Sequence, residues 1–285
     1  MRSLLFVPGD QPRKLEKGLA SGADALIVDL EDSVALLGKP NARRVAREFL
    51  QSRTDAPMLF VRVNDFTTGM TEEDLAAVMP ARPDGIMLPK AVGADDVSRL
   101  DAHLRVLEAE SGLADGATRI IPLITETAHA LLLAETHSRT NPRLAGITWG
   151  AEDLSASVGA SSYRDDEGRL TPLFQHARTM TLLAAAASGV AAIDTVFPNF
   201  RDEEGFSREC RDAVRDGFTA KMAIHPAQVA TINAAFTPSS EALEQARALV
   251  AAFAAAGNAG VVALGGKMYD RPHLRLAERL LSRAS

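Results

Sequence analysis

The sequence has one cysteine, Cys210, so no intrachain disulfide can form and a reducing cytosol is the expected setting. Aromatic residues make up 5%, with one tryptophan and two tyrosines. No run of basic residues occurs, and the net charge is −6. Base-stacking platforms and a cationic face are therefore both missing, which argues against a nucleic-acid partner. Long apolar runs are missing too. The first stops at Pro8, and the Ala-rich stretches Leu182–Ala187 and Leu249–Ala256 are too short for a bilayer. No signal peptide and no membrane span are predicted, and the Ala-rich stretches read as closely packing helices. No linker divides residues 1–235.

What is present is a repeat of short β-branched stretches: Ser3–Val7, Ala25–Leu30, Met58–Val63, Gly85–Leu88, Arg119–Ile124, Gly146–Trp149, Ala192–Phe197 and Thr219–Ile224. Longer amphipathic segments rich in Ala, Leu, Arg and Glu separate them. Eight strands alternating with helices predict an α/β fold, a TIM (β/α)8 barrel over residues 1–235. Most stretches are followed at once by polar groups: Pro8–Gly9–Asp10, Glu31–Asp32, Asn64, Pro89–Lys90, Glu126, Glu152–Asp153, Pro198–Asn199 and His225. A barrel collects these on one rim.

Residues 236–285 read as a C-terminal helical arm or lid. Thr237–Ser240 marks a break, and Ser240 is the expected cap of a helix through about Gly257, with Glu241 and Glu244 near its start. The glycine-rich stretch Gly257–Gly266 reads as mobile. A last helix is expected over His273–Ser282.

Several rim residues carry chemistry, each beside a plainer reading. Glu126 and Asp153 follow successive strands, and two carboxylates with waters suit Mg²⁺. Zinc is disfavoured because no Cys/His cluster has ligand spacing. Both acids also sit where a helix could start and be capped. Arg62 is a charge inside an apolar strand; it either grips a carboxylate with two hydrogen bonds or pairs internally with Asp29 or Glu31. Asp29, Glu31 and Asp32 divide among orienting Arg62, holding a metal-bound water and capping a helix, or form a structural ion network. Lys39 and Arg43 are the expected neutralisers. Lys90 forms either a Schiff base or, the favoured reading, a salt bridge to this acidic cluster. His225 reads as structural rather than a base. Arg13, Lys14 and Lys17 open the first helix, facing phosphates or solvent. The turn Gly150–Ala151–Glu152–Asp153 can present N–H groups to an oxyanion.

Taken together, Arg2–Asp10 (RSLLFVPGD), Asp24–Val34 (DALIVDLEDSV), Val61–Asn64 (VRVN), Gly85–Lys90 (GIMLPK), Thr125–Ala128 (TETA), Trp149–Gly159 (WGAEDLSASVG), Ala192–Phe200 (AIDTVFPNF) and Gly217–Gln228 (GFTAKMAIHPAQ) resemble the HpcH/HpaI aldolase and citrate lyase superfamily. The likeness is to its citrate lyase β-subunit-like branch and runs through nearly the whole chain. It implies a Mg²⁺-dependent barrel, with Mn²⁺ as the alternative ion, that makes or breaks a C–C bond between a CoA-type thioester and a short oxo-acid. By position, Glu126 and Asp153 resemble the metal carboxylates and Arg62 the carboxylate-gripping arginine. Asp29, Glu31, Asp32 and Lys90 then stand behind them. Pro8, Arg13, Lys14, Ala151 and Glu152 resemble substrate-binding positions. Gly266–Asp270 (GKMYD) resembles the lid of CoA-ester lyases, which makes Asp270 the expected acid/base, contributed by a neighbouring subunit of a homotrimer or a dimer of trimers. The leading expectation is a cytoplasmic lyase of citryl-, citramalyl- or malyl-CoA yielding oxaloacetate, pyruvate or glyoxylate. Synthase or thioesterase chemistry is a close variant. The alternatives are a free-pyruvate aldolase of the HpaI type and a subunit of a multienzyme citrate lyase that accepts a carrier-protein thioester.

Overall fold

The computed structural model describes residues 1–52, 57–139, 141–257 and 259–283. In chain order the first unit holds β1 (Ser3–Pro8), α1 (Pro12–Leu19), β2 (Ala25–Asp29), α2 (Lys39–Gln51), β3 (Met58–Arg62), α3 (Thr71–Val78), β4 (Gly85–Leu88), α4 (Gly93–Glu110), β5 (Arg119–Pro122), α5 (Ala128–Leu132), β6 (Gly146–Ile147), α6 (Glu152–Val158), α7 (Pro172–Ser188), β7 (Ala191–Asp194), α8 (Glu203–Asp216), β8 (Ala220–Ala223) and α9 (Ala227–Phe236). The strands are parallel, in the order β5-β4-β3-β2-β1-β8-β7-β6. Parallel bridges Ile120↔Leu144 and Leu123↔Thr148 join the two outer strands. The result is an eight-stranded (β/α)8 barrel.

Side chains alternate across each strand, so every second residue faces the barrel interior. Leu4, Ile27, Phe60, Met87, Ile121, Ile193, Ala220 and Met222 meet there in one buried cluster. Gly85 and Gly146 leave room for it: a Cβ on Gly85 would stand 2.4 Å from the Phe60 ring, and one on Gly146 would stand 2.7 Å from Ile193. The expected strands overshoot at β5, β6, β7 and β8 by two or three residues at one end or one at each, because the chain leaves the ladder there to form the rim loops. Of the two Ala-rich stretches, Leu182–Ala187 lies inside α7, where Ala184 and Ala185 are buried.

Chain contacts divide the protein into Met1–Asn233 and Ala234–Ser285, a boundary that leaves the last three residues of α9 in the second unit. The second unit contains α10 (Ser240–Ala255), the antiparallel pair β9 (Val261–Leu264) and β10 (Lys267–Asp270), and α11 (Arg271–Ser282). Ala246, Leu249, Phe253, Val262 and Ala277 form its core. Three expectations are corrected here. The cap of α10 is Ser239, whose side chain accepts the Ala242 N–H at 3.1 Å; Ser240 is already helical, the helix ends at Ala255, and only Glu241 lies in its first turn. The glycine-rich stretch is largely a hairpin. Gly265 and Gly266, with φ of 56° and 76°, make its two-residue turn, a conformation that favours glycine. Residue 258 of that stretch lies outside the described residues. Finally, α11 begins at Arg271 rather than His273, because Asp270 and His273 form a capping box that starts the helix earlier.

Candidate active site

The rim site is assembled from strand ends. The Pro8–Gly9 turn is locked to β2 by the Gly9 N–H donating to the Asp29 carbonyl at 2.8 Å. A Cβ on Gly9 would come within 2.8 Å of that same oxygen, so the close approach requires glycine. At the end of β3, Arg62 reaches across to β2. Its Nε and Nη2 donate to the two Asp29 oxygens at 2.7 and 2.8 Å, a bidentate pair. Its Nη1 stands 3.0 Å from Glu31 and 3.6 Å from Asp32. The internal pairing that competed with substrate gripping is thus formed, and Nη1 is the nitrogen not taken by Asp29. Burial opposes the Arg62 charge, but Asp29, Glu31 and Glu126 outweigh it and raise the guanidinium above its ordinary value. Burial likewise opposes the Asp29 charge, and Arg62 holds that carboxyl below the usual range.

Lys90 is the hub of the site. It follows β4 with φ 50°, a left-handed backbone that costs a non-glycine residue roughly 1 kcal/mol. That turn aims its N–H at Glu126 Oε2, 2.6 Å away. Its Nζ lies 2.5 Å from Glu31, 3.3 Å from Asp153 and 4.0 Å from Asp32. Burial works against the ammonium, yet Glu31, Glu126 and Asp153 raise it. No Schiff-base geometry is needed to account for this lysine. Lys90 therefore ties Glu126 to its N–H and Glu31 and Asp153 to its Nζ, joining residues that follow three different strands.

Glu126 is 3% exposed, and burial, added to repulsion from Glu31, pushes its carboxyl up to about 8. Burial also pushes Glu31 up to about 7, against the pull of Arg62 and Lys90. The capping alternative for Glu126 is excluded, since Thr127 caps α5 by accepting the Ala130 N–H at 3.0 Å. Asp153 lies in the first turn of α6, which begins after the buried Ala151. Gly150 lets that turn pass over Glu126: a Cβ there would stand 2.9 Å from Glu126 Oε1.

The donor set fits a divalent cation. Glu126 and Asp153 offer oxygen donors on either side of Lys90, one at its N–H and one at its Nζ, and Gly150 keeps a Cβ off the Glu126 oxygen. Among the described residues no group of three or more His, Cys, Asp or Glu side chains is gathered to hold a metal. A two-carboxylate site leaves most positions to water and substrate, which suits Mg²⁺ rather than zinc.

Other expected residues lie elsewhere. Arg13, Lys14 and Lys17 are exposed on α1, and Glu152 is exposed at the start of α6. His225 Nδ1 accepts the Ala227 N–H at 3.2 Å and its ring stacks on Phe200, the structural role. Lys39 and Arg43 do not neutralise the acidic side chains by contact. Lys39 Nζ donates to the Leu30 and Glu31 carbonyls at 2.7 Å, and Arg43 pairs with Glu73 and Asp74 on α3. Asp74 was missed by the sequence reading. It is fully buried and accepts from the Asn64 backbone N–H and side-chain amide at 2.7 and 2.6 Å, while that amide also reaches the Leu30 carbonyl. An acid in the first turn of a helix, beside the exposed Glu72 and Glu73, gives no signal of such burial. Asp270, in the second unit, caps α11, with Oδ1 2.5 Å from His273 Nδ1. That hydrogen bond holds its carboxyl below the usual range.

Residues 2–226 match the HpcH/HpaI aldolase/citrate lyase family. The chain belongs to this family. It is 34% identical to the citrate lyase subunit beta of Leuconostoc mesenteroides subsp. cremoris, over 100% of this chain and 93% of that one. It is also 34% identical to the mitochondrial citramalyl-CoA lyase of Mus musculus, over 100% of this chain and 86% of that protein. Among solved structures, the protein CitE from Mycobacterium tuberculosis in complex with magnesium, acetoacetate and coenzyme A is 35% identical, covers 99% of this chain and 97% of its own, and superposes with a TM-score of 0.78. Among the described residues no helix is long and apolar enough to cross a membrane.

Proposed function

We propose that this protein is a Mg²⁺-dependent carbon–carbon lyase that cleaves a citryl-, citramalyl- or malyl-type CoA thioester into an acyl-CoA and a short oxo-acid. One observation carries the reading: Glu126, Asp153 and Glu31 converge on Lys90 beside Arg62, at the strand ends of a barrel of this family. The solved relative with magnesium and coenzyme A supports the choice of ion and of thioester.

Glu126 and Asp153 are the residues that hold the ion. When bound, Mg²⁺ supplies Lewis acidity that polarises the substrate's oxo or hydroxy oxygen. Lys90 keeps both carboxylates aimed, its N–H on one and its Nζ on the other. Arg62, fixed by Asp29, offers Nη1 to the substrate carboxylate and so sets the direction of the scissile bond. Pro8, Arg13 and Lys14 receive the thioester's carrier, and Ala151 and Glu152 are further substrate-binding positions. In cleavage Asp270 takes the substrate hydroxyl's proton, the C–C bond breaks, and its electron pair leaves on the thioester enolate. Asp270 returns a proton to the enolate carbon, or removes it in condensation. In this reading Asp270 comes from a neighbouring subunit of a trimer or pair of trimers, and residues 236–285 act as a lid on the catalytic barrel of residues 1–235.

The test is to incubate the purified chain with Mg²⁺ and a panel of the three thioesters and to identify products by mass spectrometry. Cleavage of one thioester, lost with EDTA and in Glu126→Ala, is the expected result. Cleavage that persists in EDTA, or in Glu126→Ala, overturns the metal role. No cleavage of any CoA ester turns the reading toward a carrier-protein thioester or a free-acid aldolase.

A further inference from the structure

A second set of buried charges stands behind the segment that carries Asp153. Asp194 ends β7 and Lys221 lies beside it in β8, in direct register. Their neighbours Ile193, Ala220 and Met222 belong to the barrel core, so alternation turns Asp194 and Lys221 to the helix side of the sheet. Both are 0% exposed. Lys221 Nζ donates to the Thr195 carbonyl at 2.8 Å and stands 2.8 Å from Glu209 and 3.3 Å from Asp194 Oδ2. Asp194 Oδ1 accepts the Trp149 indole N–H at 2.8 Å and stands 3.3 Å from Arg178 Nε. A second arm runs from Glu209 to Arg164 at 2.6 Å; Arg164 lies against the Tyr163 ring, whose hydroxyl donates to Glu152 at 3.2 Å. One arm thus ends on Trp149, just before Gly150, and the other on Glu152, just before Asp153.

A buried ion pair is a poor stabiliser, since apolar residues of similar volume often serve stability equally well or better. Here the pair has a geometric consequence. The Trp149 ring, 1% exposed, can hold one orientation only if its N–H finds an acceptor, and Asp194 is that acceptor. Fixing the ring fixes the start of the short turn that ends at Asp153. We propose that Asp194 is a positioning residue for the candidate metal site: it acts through the Trp149 indole to set the turn carrying Asp153, and Lys221 is the buried cation that balances and aims it. The proposal rests on the reading of Asp153 as a metal carboxylate.

Trp149 is the sole tryptophan, so its emission reports on this segment alone. Two double variants separate the hydrogen bond from the charges. Asp194→Asn with Lys221→Met removes the ion pair but keeps an oxygen for the indole; Asp194→Leu with Lys221→Met removes both. Calorimetric Mg²⁺ binding is expected to weaken about 10-fold in the Leu variant and to stay within about 2-fold of wild type in the Asn variant. Acrylamide quenching of Trp149 in metal-free protein should rise in the Leu variant only. Equal Mg²⁺ affinity and equal quenching in the two variants overturn the proposal. Should the Leu variant fail to fold, Trp149→Phe deletes the donor and keeps an aromatic core; it must weaken Mg²⁺ binding by the same factor, and unchanged binding overturns the proposal. A wild-type protein that binds no Mg²⁺ removes the metal reading of Asp153 instead, and the quenching comparison alone then decides whether Asp194 positions the turn.

Discussion

Two buried arginines, at opposite ends of the barrel, each gather three carboxylates, and they do so to opposite effect. Arg143, just before β6, is 1% exposed and binds Glu108 with two nitrogens at 2.7 Å, together with Asp101 and Asp115 at its edge. Glu108 also accepts the Gly116 and Thr118 N–H groups. Despite burial, Arg143 holds both Asp101 and Glu108 below the usual carboxylate range. At the rim, Arg62 and Lys90 face Asp29, Glu31, Asp32, Glu126 and Asp153. There burial, with repulsion from neighbouring acids added, pushes Glu31 and Glu126 up to about 7 and about 8. The lower network is satisfied from within the chain. The rim keeps two buried carboxyls raised, and under the proposed function a bound cation is what lowers them.

The largest expected effect breaks the lower network. Arg143→Met leaves a buried Glu108 uncompensated and should cost about 3–5 kcal/mol in denaturant unfolding. The folded fraction should keep its catalytic constants. A loss below about 1 kcal/mol, the range of exposed pairs, would erase the contrast.

Acidity separates the networks next, by a few kcal/mol. Asp101 and Glu108 bind protons less readily folded than unfolded, so their stabilisation is present above the ordinary carboxylate value and is lost as pH falls. Glu31 and Glu126 have the opposite sign. Their folded values of about 7 and about 8 exceed the unfolded 4.5, so their contribution is present at acid pH and is lost as pH rises toward 8. EDTA-treated protein should therefore become less stable between those limits, and Glu126→Gln should flatten that slope. Melts across this range in the two proteins check it, and parallel slopes would refute the rim assignment.

Added Mg²⁺ should act on the rim alone. At about 100 times its dissociation constant it should stabilise the protein by about 2.7 kcal/mol. Glu126→Ala and Asp153→Ala should abolish the effect, and Glu108→Gln should keep it. A Mg²⁺ shift that survives in Glu126→Ala places the ion elsewhere.

The sequence made one side of this comparison readable. Arg62 stands out as a charge inside LFVRVN, and Asp29, in direct register on the adjacent strand, is its natural partner. The same signal, a charge in an apolar strand, was present in Asp194 and Lys221 and went unread, because each pairs on the helix side rather than at the rim. The strand repeat was legible because eight apolar stretches end in polar groups. Their ends were not, because ladder pairing stops wherever a loop begins to turn. Lys90 was legible as a salt-bridging lysine, but its left-handed backbone, which aims the N–H at Glu126, leaves no trace in composition. Lys39 and Arg43 were close in sequence to the acids yet reach carbonyls and α3 instead, since helix geometry rather than proximity along the chain sets their direction. Gly265–Gly266 read as looseness, although two adjacent glycines before KMYD also encode a hairpin turn.

Asp32 gives the smallest expected effect and the finest test. Its side chain is 56% exposed, and it stands 3.6 Å from Arg62 and 4.0 Å from Lys90, beyond hydrogen-bond distance. Water screens such a pair, so Asp32→Asn should change unfolding stability by no more than about 0.5 kcal/mol. It should leave the Mg²⁺ response intact as well, because Glu31 rather than Asp32 closes on Lys90. Removing one negative charge beside Arg62 Nη1 should, however, modestly favour an incoming substrate carboxylate, seen as a lower KM with kcat little changed. A large fall in kcat for Asp32→Asn would move this residue from the margin of the acidic cluster to its centre, and the division between a satisfied base and a rim of raised carboxyls would then have to include it.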